Sequence, residues 1–439
     1  MTAKAVFSTA RKGRATAPSN PLGMEQYYAP LDGVRGLAIF AVFALHYGGG
    51  RHLGNPLQRF IGEIVFRGWM GVDLFFVLSG YLITRILLHS VGDRRYYSTF
   101  YARRTLRIFP LYYGVLLGLL ALTPWLGLHW KALHLAYPLY LQNIVAITHP
   151  GQTEYISASI TLGAFWSLAV EEQFYLIWPW LIKSYSGASR RAVGLFVVAL
   201  AGPPLIRLIV LHWGSLMACY RLLPCRVDSL ACGALLALLA AKNKLMFVPK
   251  WVPYLLFGGC AIIIGYLSYS DATVNLLSTV GLSFIAVGCT AMVWLALWPA
   301  SLVARSLSLA PLRFLGRYSY GIYVYHELVH KTLQLRLLPV LVRLTKSISI
   351  GSMLFFVLAL TFNLAVAILS YHCFEIHFLR LKRYFRLRSE RDLQLSAAPA
   401  TCATSTVTEG RATETSSAPR KSDQFFPSQA GSAGEVAAN

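Results

Sequence analysis

Residues 31–47 read LDGVRGLAIFAVFALHY. The run is apolar enough to sit in lipid, yet it holds Arg35 near its start and His46 near its end. Eleven helical residues at about 100° each come back to almost the same face, roughly 20° past three turns, and at 1.5 Å per residue they separate the two side chains by about 16 Å in depth. Charged side chains inside a span face a bundle interior or a wet cavity rather than lipid. The spacing predicts a helix that lines a path, with a cation at the mouth and a titratable base deep inside. Taken singly, a snorkelling arginine and a histidine bonded to a neighbouring helix would account for the pair. Their shared stripe favours function.

The rest of the chain sets the fold class. Of 439 residues, 56% are hydrophobic and 13% charged, against about 25% charged in soluble domains. Apolar stretches of about 18–25 residues recur, each long enough to cross a hydrocarbon core of about 30 Å. The expectation is an all-α, polytopic transmembrane helix bundle of about ten spans, near 31–48, 70–90, 108–128, 164–182, 192–212, 226–241, 251–269, 275–298, 318–336 and 349–375. A β-barrel would show short alternating segments instead. The net charge of +22 does not indicate nucleic acid, because the basic residues gather between the apolar runs. Clusters such as Arg94, Arg95, Arg103, Arg104 and Arg107, and Arg380, Lys382 and Arg383, fall on the side of the termini. That asymmetry places both termini in the cytoplasm. The first outer loop, with Arg51, Arg59 and Arg67, fits the rule poorly and is expected to dip into the membrane or face an anionic partner.

Three segments follow: a cytoplasmic tail over 1–26 without a signal-peptide pattern, a membrane domain over 27–388, and a Ser/Thr/Ala-rich tail over 389–439 expected to be disordered. The cysteines lie mostly in or near apolar runs and form no CxxC pair, so packing is their expected role. No internal repeat is evident.

Five further stretches carry chemistry. GWMGVDLFFVLSGYLITRIL (68–87) places Asp73 at a depth like that of His46, where it would orient the imidazole or balance Arg35 or Arg67; Ser79 and Gly80 are small residues that let helices approach. YARRTLRIFPLYY (101–113) sets Arg104 and Arg107 three apart, able to face one ligand, and guanidinium forks match phosphate oxygens. Topology and attraction to lipid headgroups account for part of that charge. FWSLAVEEQFYLIWPW (165–180) holds Glu171 and Glu172 inside a span. Adjacent helical residues point about 100° apart, so one would face the cavity near His46 while the other pairs with an arginine. RFLGRYSYGIYVYHELVH (313–330) is tyrosine-rich, with Tyr325 beside His326, Glu327 and His330. Its HExxH pattern read as zinc needs a third ligand, which His372 or Glu375 would supply on paper; the preferred expectation is no metal. In CRVD (225–228), Asp228 would face Arg226 or the cavity.

In this order LDGVRGLAIFAVFALHY, GVDLFFVLSGYLI, RRTLRIFPLYY, WSLAVEEQFYLIWP, CRVDSLACGALLA and LGRYSYGIYVYHE resemble the integral-membrane acyltransferase family 3, over about residues 27–385. That family O-acylates bacterial surface polysaccharides and some small molecules. The resemblance matches its first-span arginine and histidine to Arg35 and His46, its RxxR element to Arg104 and Arg107, and its acidic WSL motif to Trp166, Ser167, Leu168, Glu171 and Glu172. It implies acyl-coenzyme A as donor, with acetyl the expected group, and treats the ninth-span histidine as packing rather than as a zinc ligand. Some members carry an extra hydrolase-like domain that passes the acyl group on; this chain, with a disordered tail there, is expected to transfer directly. The expected activity is acyl transfer to a hydroxyl of a glycan or glycolipid at the cell membrane. His46 would act as base, Glu172 or Asp73 would support it, and Arg35 would bind the donor or developing negative charge. The competing class is a transporter or flippase of a glycan or lipid-linked substrate, since intramembrane charges also mark substrate pathways.

Overall fold

The computed structural model describes residues 28–48, 56–185, 189–213, 215–268 and 274–385. The tails expected over 1–26 and 389–439, and Arg51 of the first outer loop, lie outside them. Among the described residues there is no β-strand, only one isolated bridge between Tyr155 and Thr161. The long helices are α1 (Ala29–Tyr47), α2 (Pro56–Phe66), α3 (Gly71–Ser90), α4 (Tyr96–Ala121), α5 (Trp166–Tyr185), α6 (Ser189–His212), α7 (Leu223–Ala241), α8 (Val252–Leu267), α9 (Leu282–Leu297), α10 (Ala310–Thr345) and α11 (Ile348–Ser370). A proline in the first turn opens α1, α7, α8 and α10, where its fixed φ suits the helix and its missing N–H costs nothing. Ser347 caps α11 by accepting from the Ile350 amide.

Every one of the ten expected apolar segments falls on a helix. Among the described residues, six helical stretches are long and apolar enough to cross a membrane. The shortfall has a physical cause. Helices α4, α5 and α10 carry the arginines, glutamates and histidines of the candidate site, and α8 has only 16 residues. Large apolar side chains such as Leu117, Leu176, Val198, Ile209, Ile262 and Met353 lie exposed on the outside of the bundle. A multi-pass membrane protein has lipid as solvent for that surface.

Helix contacts rest on glycine where the backbones nearly touch. A Cβ on Gly36 would lie 1.9 Å from the Leu312 carbonyl oxygen, and one on Gly316 would lie 1.8 Å from that of Asp32. Only glycines at both positions let α1 lie against α10. Gly80 and Gly233 do the same for α3 and α7, with the Leu230 and Val77 carbonyl oxygens each 1.9 Å from the hypothetical Cβ. Lipid offers no hydrophobic drive for helix association, so such close van der Waals contact is what holds these pairs. Gly80 thus plays the close-approach role read from the sequence.

Candidate active site

A cavity of about 320 Å³ opens between α1, α3, α4, α5 and α10. One end is cationic: Arg35 from α1 meets Arg103, Arg104 and Arg107 from α4, and Lys382 from the turn that follows α11 and a short helix. Arg35 is held by Asp32 one turn earlier, Nη1 to Oδ1 at 2.5 Å. The Arg104 guanidinium lies over the Tyr175 ring, 5.4 Å from its centre. The middle of the cavity is apolar, with Phe75, Leu78 and Leu82, apart from Glu171, which accepts a hydrogen bond from the Ser79 hydroxyl at 2.6 Å. Ser79 therefore does more than permit close packing, the role read for it from the sequence.

The far end of the cavity closes on Ser167 and Tyr323, whose hydroxyls share a hydrogen bond. Tyr323 also donates to the Ala164 carbonyl at 2.9 Å. Its ring stands 5.4 Å from the His326 ring, which in turn lies 5.0 Å from that of His46. The expected single tunnel from Arg35 to His46 is therefore partitioned. Arg35 lines the cavity; His46 does not, and the Tyr323–Ser167 pair and His326 stand between.

Behind that partition is a second cluster. His46 Nδ1 contacts the Val42 carbonyl oxygen at 2.8 Å, and His326 Nδ1 the Tyr323 carbonyl oxygen at 2.7 Å. A carbonyl only accepts, so the Nδ1 atom of each ring carries a proton. Ligand atoms of His46, His326 and Glu327 all lie within 4.8 Å of one another. His330 adds a ring 5.8 Å from that of His46. Tyr47 anchors the two helices, its hydroxyl donating to the His326 carbonyl at 2.5 Å. The Glu327 carboxylate rests against Gly163, where a Cβ would come within 2.6 Å of Oε1. This places its charge by the start of α5, the positive end of the helix dipole.

Several expectations need correction. Asp73 does not attend His46, Arg35 or Arg67: it is fully buried, paired with Arg226 at 2.6 Å and bonded by Ser229 at 2.8 Å, while Arg67 pairs with Glu63 at 3.3 Å. Asp228 faces neither Arg226 nor the cavity but Arg207, at 2.9 Å, with Ser283 at 2.7 Å. Glu172 lies under the charges of Glu171 and Arg104, and its Oε1 is buried without a hydrogen-bond partner. The carboxylate gathered with His46 is Glu327. Trp166 packs on Tyr220, ring centres 4.8 Å apart, rather than lining the cavity. Tyr325 donates to Ser370 at 3.0 Å, on a face of α10 away from His326. The proposed third zinc ligands also lie elsewhere: Glu375 accepts from Ser370 at 3.2 Å, and His372 meets Tyr318 at 3.3 Å.

Of the candidates read from the sequence, the structure gathers Arg35, Arg104, Arg107, Glu171 and Ser167 in one cavity, and His46 and His326 in the second cluster. It passed over Glu327 as a partner of His46, although HELVH was in view, because helical spacing cannot say which other helix an imidazole meets. Lys382 was read only as an orientation charge, and Arg207 left no signal beyond an arginine inside an apolar run.

A multi-pass helical membrane protein with an anion-receptive chamber leading toward buried imidazoles is the class that fold and site define. The Acyltransferase domain family matches residues 28–372, and the chain belongs to it. It is 29% identical over 372 residues to the putative peptidoglycan O-acetyltransferase YrhL of Bacillus subtilis, covering 80% of this chain and 54% of that protein. It is 29% identical over 328 residues to the peptidoglycan O-acetyltransferase OatA of Listeria monocytogenes (69% of this chain, 49% of that one), and 28% identical to the O-acetyltransferase OatA of Staphylococcus aureus (69% and 51%). The chain thus spans about half the length of these relatives. No solved structure matches it.

Proposed function

We propose that the chain is a membrane O-acyltransferase that moves an acyl group, acetyl foremost, from acyl-coenzyme A to a hydroxyl of a cell-surface glycan. Peptidoglycan is the acceptor that the names of its relatives point to. In this reading the domain over 27–388 crosses the membrane about ten times with both termini cytoplasmic, so that the cationic end of the cavity faces the cytoplasmic donor.

The observation that carries the proposal is the single cavity running from Arg35, Arg103, Arg104, Arg107 and Lys382 to the Ser167–Tyr323 pair that abuts His326 and His46. Arg104 and Arg107 hold the phosphates of the donor by charge-assisted hydrogen bonds. The thin pantetheine arm lies along the apolar wall, and the thioester reaches the partition. The Tyr323 and Ser167 hydroxyls part to let it meet the acceptor. His46 Nε2 then takes the proton of the acceptor hydroxyl as its oxygen attacks the thioester carbonyl. The C–S bond breaks as the ester forms, and the proton passes from His46 to the departing thiolate. Glu327, rather than the Glu172 or Asp73 expected from the sequence, balances the imidazolium. Such a base contributes about 10²- to 10⁴-fold in rate.

His46→Ala tests the reading in membranes carrying the protein at wild-type level. The expected result is loss of acyl transfer with acyl-coenzyme A binding retained; undiminished transfer sinks the assignment. A transporter or flippase, the rival class, would need no thioester. Acceptor-dependent release of coenzyme A by the purified chain, with no gradient, separates the two.

A further inference from the structure

The acid–arginine pairs Arg226–Asp73, Arg207–Asp228 and Arg221–Glu154 are not alike. In the first two no side chain is more than 2% exposed. A pair sealed in this way cannot reach a ligand. In the third, Arg221 Nη1 meets Glu154 Oε1, and the two side chains keep 13% and 19% of their surface. This pair also has hydrogen-bonding capacity to spare. Arg221 Nε has no partner, and a carboxylate accepts through two oxygens, of which the ion pair uses one.

Its place in the fold is beside the His46 cluster and outside the donor cavity. The Leu162 amide donates to the Glu154 carbonyl at 2.7 Å. Gly163, the next residue, abuts the Glu327 carboxylate. Glu327 thus lies within the field of Glu154 and Arg221 as well as of His46. The loop that carries Glu154 is seated on α10 just beyond Glu327. There the Thr332 hydroxyl donates to the Ser159 carbonyl at 3.1 Å, and the Lys331 ammonium lies 4.2 Å from the centre of the Tyr155 ring. Arg221 ends the short helix Leu216–Arg221 and is fixed to α5 through amides. Asn143 donates to the Arg221 carbonyl at 3.1 Å, and Asn143 and Gln173 exchange hydrogen bonds at 2.9 and 3.3 Å. An acceptor has to come to His46 from a side that the donor does not fill, and the open pair stands on such a side.

We propose that Arg221 and Glu154 form the subsite that selects the acceptor, and that they bind the acetamido group of an N-acetylated sugar. The inference rests on the acyl-transfer reading given above and adds the chemical class of its acceptor. An arginine paired with a glutamate sets a donor and an acceptor side by side. A secondary amide is the matching partner: its carbonyl oxygen accepts from the guanidinium, and its N–H donates to the carboxylate oxygen that the ion pair leaves over. Both bonds are charge-assisted, the stronger kind. The pair is neutral as a whole, so it gives no advantage to an acidic sugar. Binding there leaves His46 and Glu327 free for the transfer.

The test compares two soluble tetramers, tetra-N-acetylchitotetraose and cellotetraose, which differ in carrying an acetamido group or a hydroxyl on each ring. Their binding to the full chain, purified in detergent, is measured by thermophoresis up to millimolar concentration. Wild type should prefer the acetamido tetramer by about tenfold or more, the worth of one hydrogen bond to a charged group. Arg221→Lys keeps the charge and the ion pair but loses the planar fork. It should melt like wild type and lose most of the preference, which a merely structural ion pair would not do. In transfer assays the same variant should raise the acceptor KM and leave the donor KM unchanged. Equal binding of the two tetramers by wild type, binding of neither, or a folded Arg221→Lys with the wild-type preference overturns the inference. The wild-type comparison requires no variant to fold. Transfer is read separately. Preference without transfer sinks the activity proposed above and leaves the subsite standing, and transfer without preference does the reverse.

Discussion

Replacing Asp73 by leucine separates a structural role from the catalytic one that the sequence offers it. Asp73 and Arg226 are both 0% exposed and 2.6 Å apart. At an effective dielectric of about 20 their attraction is about 6 kcal/mol before desolvation. Losing one partner strands the other charge in a dry interior, at a net cost of about 3–5 kcal/mol. Arg226 has no other carboxylate bonded to it; its remaining neighbours are the Phe76 and Tyr220 rings, 5.6 and 4.8 Å from its guanidinium carbon. Asp73→Leu or Arg226→Met alone should therefore lower the melting temperature of the detergent-purified protein sharply and deplete it from membranes. The double variant puts apolar groups of similar volume between those rings. A buried pair exchanged in this way is neutral to stabilising by about 1–4 kcal/mol, so both stability and acyl transfer should return. The assay pairs thermal unfolding with transfer activity per folded molecule. If Asp73→Leu melts like wild type, or if the double variant folds well and stays inactive, Asp73 takes part in the reaction and the assignment made here is wrong.

Three other outcomes are expected. Glu327→Gln should cut turnover by about 10²-fold while leaving donor KM near wild type, and Glu172→Gln should cost less; steady-state kinetics on the two variants decides between the carboxylates. Exchanging Arg104 and Arg107 together for alanine should raise the donor dissociation constant by tenfold or more, since each charge-assisted hydrogen bond is worth about 1.5–3 kcal/mol, with the gap to wild type narrowing as salt is added; equal affinity would end the phosphate assignment. Gly316→Leu should prevent α1 from seating on α10, costing at least about 1–3 kcal/mol. Gly118→Leu, where a Cβ meets nothing within 4 Å, should be tolerated, and size-exclusion profiles compare the two.

The periodicity of the apolar runs makes each helix legible, because a segment that must satisfy its backbone in lipid has the α-helix as its only solution outside a closed barrel. The same one-dimensional arithmetic places Arg35 and His46 on one stripe, and the helix over 29–47 runs unbroken between them. Arg104 and Arg107 were legible for the same reason, being one turn apart on one helix. What a periodicity cannot carry is the identity of the neighbour across a helix contact. Asp73 has an arginine in its future wherever it is read, but whether that arginine is Arg35, Arg67 or Arg226 depends on which helices touch, and that was fixed by glycines such as Gly80 and Gly233, at positions far apart in the chain.

The sequence by itself determined that this chain lives in a membrane, that its long apolar runs are helices, and that its first helix carries a cation and an imidazole on one face, since those are properties of short stretches and of the solvent around them. Tertiary structure alone decided that Glu327 and not Glu172 meets His46, that Tyr323 and Ser167 stand between the cationic chamber and the histidines, and that two acid–arginine pairs are locked away from both. These are contacts between helices brought together by backbone fit, and the energy of that fit lies in pairs of residues that no local pattern relates.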